Sequence, residues 1–135
     1  MNREYTPENI ESLPENGIFV FGSNTEGRHG KGAALIARQK FGAIYGKSSG
    51  LQGKSYAIFT KDLKKGLRSV SLNEIHTQLM CFLYYATDQD NLKFYVTKLG
   101  SSLAGYTSDE IKSLFEDLIE MIPDNVILPK EYEVR

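Results

Sequence analysis

The stretch "GIFVFGSNTEGRHGKGAALIA", residues 17–37, runs from an apolar segment through a glycine-studded loop into residues at helical spacing. The opening run is short, apolar and bounded by glycines, which fits a buried strand. Ala33, Ile36, Ala37 and Phe41 then recur at the spacing of one helix face. Between them stand Gly22, Gly27, Gly30 and Gly32, with Arg28, His29 and Lys31. Glycines let the backbone turn through positive φ and let a ligand approach the amides closely. A helix that starts there offers unpaired N–H groups and a positive dipole end, which suits phosphate. A turn that needs glycine only for its geometry is the competing reading.

Further along, "YAIFT" and "KFYVTKLG" read as buried strands and "NVILP" as a short last one. Ser71-x-x-Glu74 and Thr107-x-x-Glu110 are candidate capping boxes. Behind them, Ile75, Leu79, Phe82, Leu83 and Ala86, and then Ile111, Leu114, Phe115, Leu118, Ile119 and Ile122, form apolar stripes. "AIYGKSSGLQGKS" reads as a polar loop, and Thr6-Pro7 as the start of a short helix. Strands and helices thus alternate, which predicts a three-layer α/β/α domain with a central mixed, largely parallel sheet. The expected organisation is one domain over residues 1–135, with a helical extension at 1–16 and a core at 17–129.

In such folds ligands bind beyond the carboxyl ends of strands, where loops lead into helices. Two loops have that position, residues 22–32 and residues 100–107. The second carries Gly100, Ser101, Ser102, Leu103, Ala104, Gly105 and Tyr106. Two glycine-rich loops at neighbouring strand ends can grip a diphosphate from both sides. Neither Gly-Lys-Ser sequence, at 46–48 or 53–55, has the earlier glycine of a P-loop, and neither a dinucleotide fingerprint nor a Gly-x-Ser-x-Gly elbow is present.

Composition narrows the partners. The formal net charge of −1 argues against a general nucleic-acid binder. A single cysteine, Cys81, in an apolar segment reads as a buried thiol, and one Cys with two distant His gives no metal-ligand spacing. No apolar run approaches the length of a membrane span, and no leader pattern opens the chain, so the expected setting is cytoplasmic. No bound cofactor is expected.

The segments "VFGSN…GRHGKGAALIA" and "YVTKLGSSLAGYTSDEI" resemble a macro domain, in particular the compact macro-like proteins of phage and bacterial genomes. The resemblance spans about residues 17–129, and its specific part is the two loops. It implies an ADP-ribose-like nucleotide ligand, with Asn24 beside the distal ribose and Gly22, Ser23, Gly30, Gly32 and Ala33 in the first loop. Residues 100–105 would then wrap the diphosphate. The chain departs from the family pattern in having no Asp-terminated strand ahead of "GIFVFG" to read the adenine amine.

Single residues remain open between a ligand role and a plain one. Asn24 offers a donor and an acceptor to a vicinal diol, or forms an Asx-turn. His29 is a candidate acid or base, or a loop residue without a role. Lys61 and Asp62 follow a strand and face the cleft, or form a solvated turn. Tyr106 stacks on a base or ribose, or shields a helix start. Thr97 and Lys98 alternate faces, so at most one points towards a given site. Three functions fit: an ADP-ribose binder that hydrolyses an ADP-ribose linkage with Asn24 and His29 as catalytic candidates, a non-catalytic nucleotide-sensing or sequestering module, and a protein-interaction domain. The oligomeric state is not legible.

Overall fold

The computed structural model describes residues 3–99 and 104–135. Its sheet is built outward from β1 (Gly17–Asn24), whose side chains alternate between two packed faces. Phe19 and Phe21 point into a cluster with Ala34, Ala37, Phe41 and Ala57. Ile18 and Val20 point the other way, into the larger core. The helix after the glycine loop, α1 (Gly32–Lys40), covers the first face, where Phe19 stacks on Phe41 at 4.7 Å. The other face is covered by α2 (Leu72–Asp88) and α3 (Ser108–Asp117), through the apolar stripes their sequences carry. Three layers result.

Strand order is β2-β3-β1-β4-β5. The parallel strands are β1, β3 (Ser55–Lys61), β4 (Lys93–Val96) and β5 (Val126–Ile127), and β2 (Gly50–Gln52) is an antiparallel edge. From β1 the chain moves to β3 on one side, then crosses through α2 to β4 on the other. β1 therefore ends at the switch point of the sheet, the place where open α/β folds leave a crevice.

Both later helices are capped as their sequences predict. The Ser71 hydroxyl accepts the Glu74 N–H, and Thr107 with Glu110 makes a complete capping box. Two regions differ from expectation. Residues 3–16 form no helix: Tyr5 bridges Leu128, and the Thr6 N–H and hydroxyl donate to the Leu128 and Ile127 carbonyls. Thr6 thus covers the edge of β5 and is not free to cap a helix. The polar loop contains β2, whose short "GLQ" shows no strand periodicity and is held partly through the Gln52 side chain. Cys81 is exposed, because it lies on the outward side of α2. Among the described residues no helix is long and apolar enough to cross a membrane.

Candidate functional site

A cavity of about 450 Å³ opens over the carboxyl end of β1, a size within the ordinary range of small-molecule sites. The first loop lines it through Gly22, Ser23, Asn24, Arg28, Gly30, Lys31, Gly32, Ala33 and Ala34. The end of β3 adds Thr60, Lys61 and Leu63, and the segment after β4 adds Lys98, Leu99 and Ala104. Of the second predicted loop, Ala104 reaches the cavity that the first loop lines, on the side of β4, which pairs with β1. Contact is close: a Cβ placed on Gly22 would lie 2.1 Å from the Leu99 carbonyl oxygen, so only glycine fits.

The lining is cationic. Arg28, Lys31, Lys61 and Lys98 contribute to it, and no carboxylate, imidazole or thiol does among the described residues. Arg28 pairs with Glu26 at 3.3 Å. Lys98 is gripped by Glu131 at 2.8 Å and Glu8 at 3.0 Å, and these bonds raise its pKa above the usual lysine value. Lys31 and Lys61 have no ion-pair partner among the described residues.

The helix end matters as much as the charges. In α1 the N-cap is Lys31, which makes no side-chain cap bond, and no acidic residue stands in the first turn. The first N–H groups of a helix have no intrahelical partner. Here Gly32, Ala33 and Ala34 carry them at the cavity wall. The helix whose cap is missing is the one that faces the cavity.

Asn24 serves the loop first. Its Oδ1 accepts the Arg28 N–H and its Nδ2 donates to the Arg28 carbonyl, both at 2.9 Å. One amide hydrogen and one lone pair remain for a ligand diol. The Ser23 hydroxyl donates to the Ser48 carbonyl, so Ser23 meets the cavity by position more than by a free hydroxyl.

Several expected residues lie elsewhere. His29 is fully buried and does not line the cavity. Its ring stands edge-on to Phe21 at 5.2 Å, and its Nε2 lies 3.2 Å from Gln52 Oε1. Gln52 Oε1 also accepts the Ile44 N–H, while its amide nitrogen donates to Lys47 and Gly50, so Nε2 of His29 must donate. Nδ1 is left without a hydrogen-bond partner. A side chain so placed is an internal prop, and the assignment of His29 as an acid or base fails on access. His29→Ala is expected to lower unfolding stability by about 1–3 kcal/mol, read by urea denaturation, through the lost packing and the unpaired Gln52. Unchanged stability would contradict that role.

Asp62 turns away from the cleft: its Oδ1 accepts the Lys64 N–H at 2.9 Å and its backbone bridges Gly66. Tyr106 is buried in the larger core and donates its hydroxyl to the Val70 carbonyl, so it cannot stack on a ligand. Gly105 does not line the cavity, whereas Ala104 does. Gly100, Ser101, Ser102 and Leu103 lie outside the described residues. Of the alternating pair, Lys98 reaches the cavity and the Thr97 hydroxyl donates to the Val20 carbonyl. Arg28 and Lys31 were legible as neighbours of the loop glycines, but Thr60 and Leu63 carried no motif.

No protein-family model matches the chain, and no curated protein matches it. Among solved structures it is similar to DarTG of Thermosipho africanus in complex with ADP-ribose, at 17% identity and a TM-score of 0.56. That match covers 89% of this chain, which spans only 39% of the DarTG chain. It is also similar to a macrodomain protein of Streptomyces coelicolor, at 16% identity and a TM-score of 0.56, over 90% of this chain and 92% of that one. The resemblance carried by the two loops is matched by the architecture over nearly the whole chain: it has the macrodomain fold.

Proposed function

We propose that the cavity over β1 binds ADP-ribose or a closely related nucleotide diphosphate. The observation that carries this reading is the uncapped N-terminus of α1, opening onto a lining with four cationic residues and no carboxylate among the described residues. Backbone donors and a positive dipole end favour a phosphate group there. Lys31 and Lys61, which have no carboxylate partner among the described residues, add charge to the lining. The remaining hydrogen and lone pair of Asn24 suit a ribose diol beside the phosphates. The choice of ligand follows the Thermosipho structure, which is itself an ADP-ribose complex.

Binding is favoured over turnover by the same lining. With His29 buried behind the loop, no imidazole or carboxylate among the described residues faces the cavity to act as a general base. Hydrolysis of an ADP-ribose linkage would then rest on positioning of substrate and water alone. The test is a thermal-shift and calorimetric panel of ADP-ribose, ADP, NAD and ribose 5-phosphate, with an assay for ADP-ribose release from modified protein and nucleic acid. ADP-ribose at 100 times its dissociation constant is expected to stabilise the fold by about 2.7 kcal/mol. Absence of a shift with every diphosphate nucleotide would remove the reading. Release of ADP-ribose would move it from binding module to hydrolase.

A further inference from the structure

We propose that Arg68 is the positioning residue for the Ala104 side of the cavity, so that ligand affinity depends on a guanidinium that does not line it. This rests on the binding reading above. Among the described residues Arg68 is the non-glycine residue with positive φ, at +54°. A residue with a Cβ holds that conformation only where its surroundings impose it.

The surroundings are specific. The Arg68 N–H donates to the Ala104 carbonyl at 2.8 Å, and Nη1 donates to the Gly105 carbonyl at 3.3 Å. Nη1 and Nη2 also fork onto the two Glu110 oxygens at 2.9 and 2.7 Å. The guanidinium lies 4.6 Å over the Tyr106 ring. Glu110 accepts the Thr107 N–H as well, so one carboxylate closes the α3 cap and holds the arginine. Those bonds keep its carboxyl at about 2, below the ordinary glutamate value, with the Arg68 hydrogen bond the largest cause.

The other end of the connection is equally fixed. Arg68 sits within a turn over residues 62–69, in which the Asp62 carbonyl accepts the Lys65 and Gly66 N–H groups, the Asp62 N–H donates to the Ser69 hydroxyl and that hydroxyl donates to Gly66. Leu63 in that turn lines the cavity, as does Ala104 across from it. Arg68 therefore holds two cavity-lining segments at a set separation. An exposed ion pair contributes little stability by itself. Its value here is geometric, since a preformed wall spares the ligand the ordering of that wall.

Three variants separate this role from plain stability. Arg68→Gly accepts the positive φ and keeps the N–H donor to Ala104, removing the side chain with its guanidinium. Glu110→Gln keeps a capping partner at the third helical position and loses the charge. Arg68→Lys keeps the charge without the fork. In the unliganded protein, amides of residues 104–107 are expected to exchange about 10-fold faster in Arg68→Gly and Glu110→Gln, while β1 amides keep wild-type rates. ADP-ribose affinity, by calorimetry well below the melting temperature, is expected to fall about 10-fold in both, with Arg68→Lys intermediate. Wild-type exchange at 104–107 overturns the proposal. So does wild-type affinity in all three variants. If the wild-type protein itself binds no ADP-ribose, the function reading falls and exchange alone decides the positioning role.

Discussion

Gly30→Glu is expected to leave a folded protein whose affinity for ADP-ribose falls by at least ~100-fold. Gly30 lines the cavity, a Cβ on it would meet nothing within 4 Å, and it is not among the residues with positive φ. The substitution is therefore free of the usual glycine strain, and stability should stay within about 0.5 kcal/mol of wild type. Its carboxylate would stand next to Lys31 and the first amides of α1, where a phosphate is proposed to sit. Like-charge juxtaposition at a binding site costs several kcal/mol, and each ~1.4 kcal/mol is tenfold in affinity. Calorimetric titration alongside circular dichroism reads both halves of the expectation. A folded variant that binds as the wild type does would remove the ligand from this loop. Gly105→Glu is no substitute, because Gly105 has a φ of +89° and a Cβ there would lie 3.1 Å from Leu67. Any loss of binding in that variant would mix strain with charge.

Gly22→Val is expected to lower unfolding stability by about 3 kcal/mol or more, or to prevent folding. The obstacle is backbone, not a side chain that can swing aside. A Cβ at residue 22 meets the Leu99 oxygen at 2.1 Å and its carbon at 2.9 Å. Relief requires moving residue 99 away from the end of β1, and with it the Lys98 and Leu99 side of the cavity. Urea denaturation gives the stability change. A variant within about 1 kcal/mol of wild type would mean that the two segments part easily and that the close approach of Leu99 to Gly22 is not a constraint.

The parallel strands and the three helices were legible because each signal was local. β1 alternates Phe19 and Phe21 against Ile18 and Val20, and the Thr107–Glu110 box marks its helix within four residues. The cavity was legible in part: among the described residues Gly22, Ser23, Asn24, Gly30, Gly32, Ala33, Lys61 and Ala104 line it. What failed depended on partners distant in sequence. His29 turns inward because Phe21 and Gln52 receive it, and Tyr106 turns inward because the Val70 carbonyl does. Thr6 has the chemistry of a helix cap, but the carbonyls at 127 and 128 claim its donors first. Nothing in the order of residues shows those meetings. Arg68, with no glycine or motif beside it to draw notice apart from Gly66, was invisible for the same reason.

The Gln52 amide has a consequence for how the site answers to its medium. It ties the His29 loop to residues 44, 47 and 50 through neutral, largely buried hydrogen bonds. The turn before α2 and the start of α3 are joined instead by Arg68 and Glu110, a partly exposed pair of full charges. Added salt weakens exposed ion pairs, most strongly at separations beyond about 10 Å at 0.1 M, and leaves buried neutral dipoles almost untouched. The loop tied by Gln52 is thus held by contacts that ionic strength barely alters, and the Arg68–Glu110 connection by contacts that it weakens.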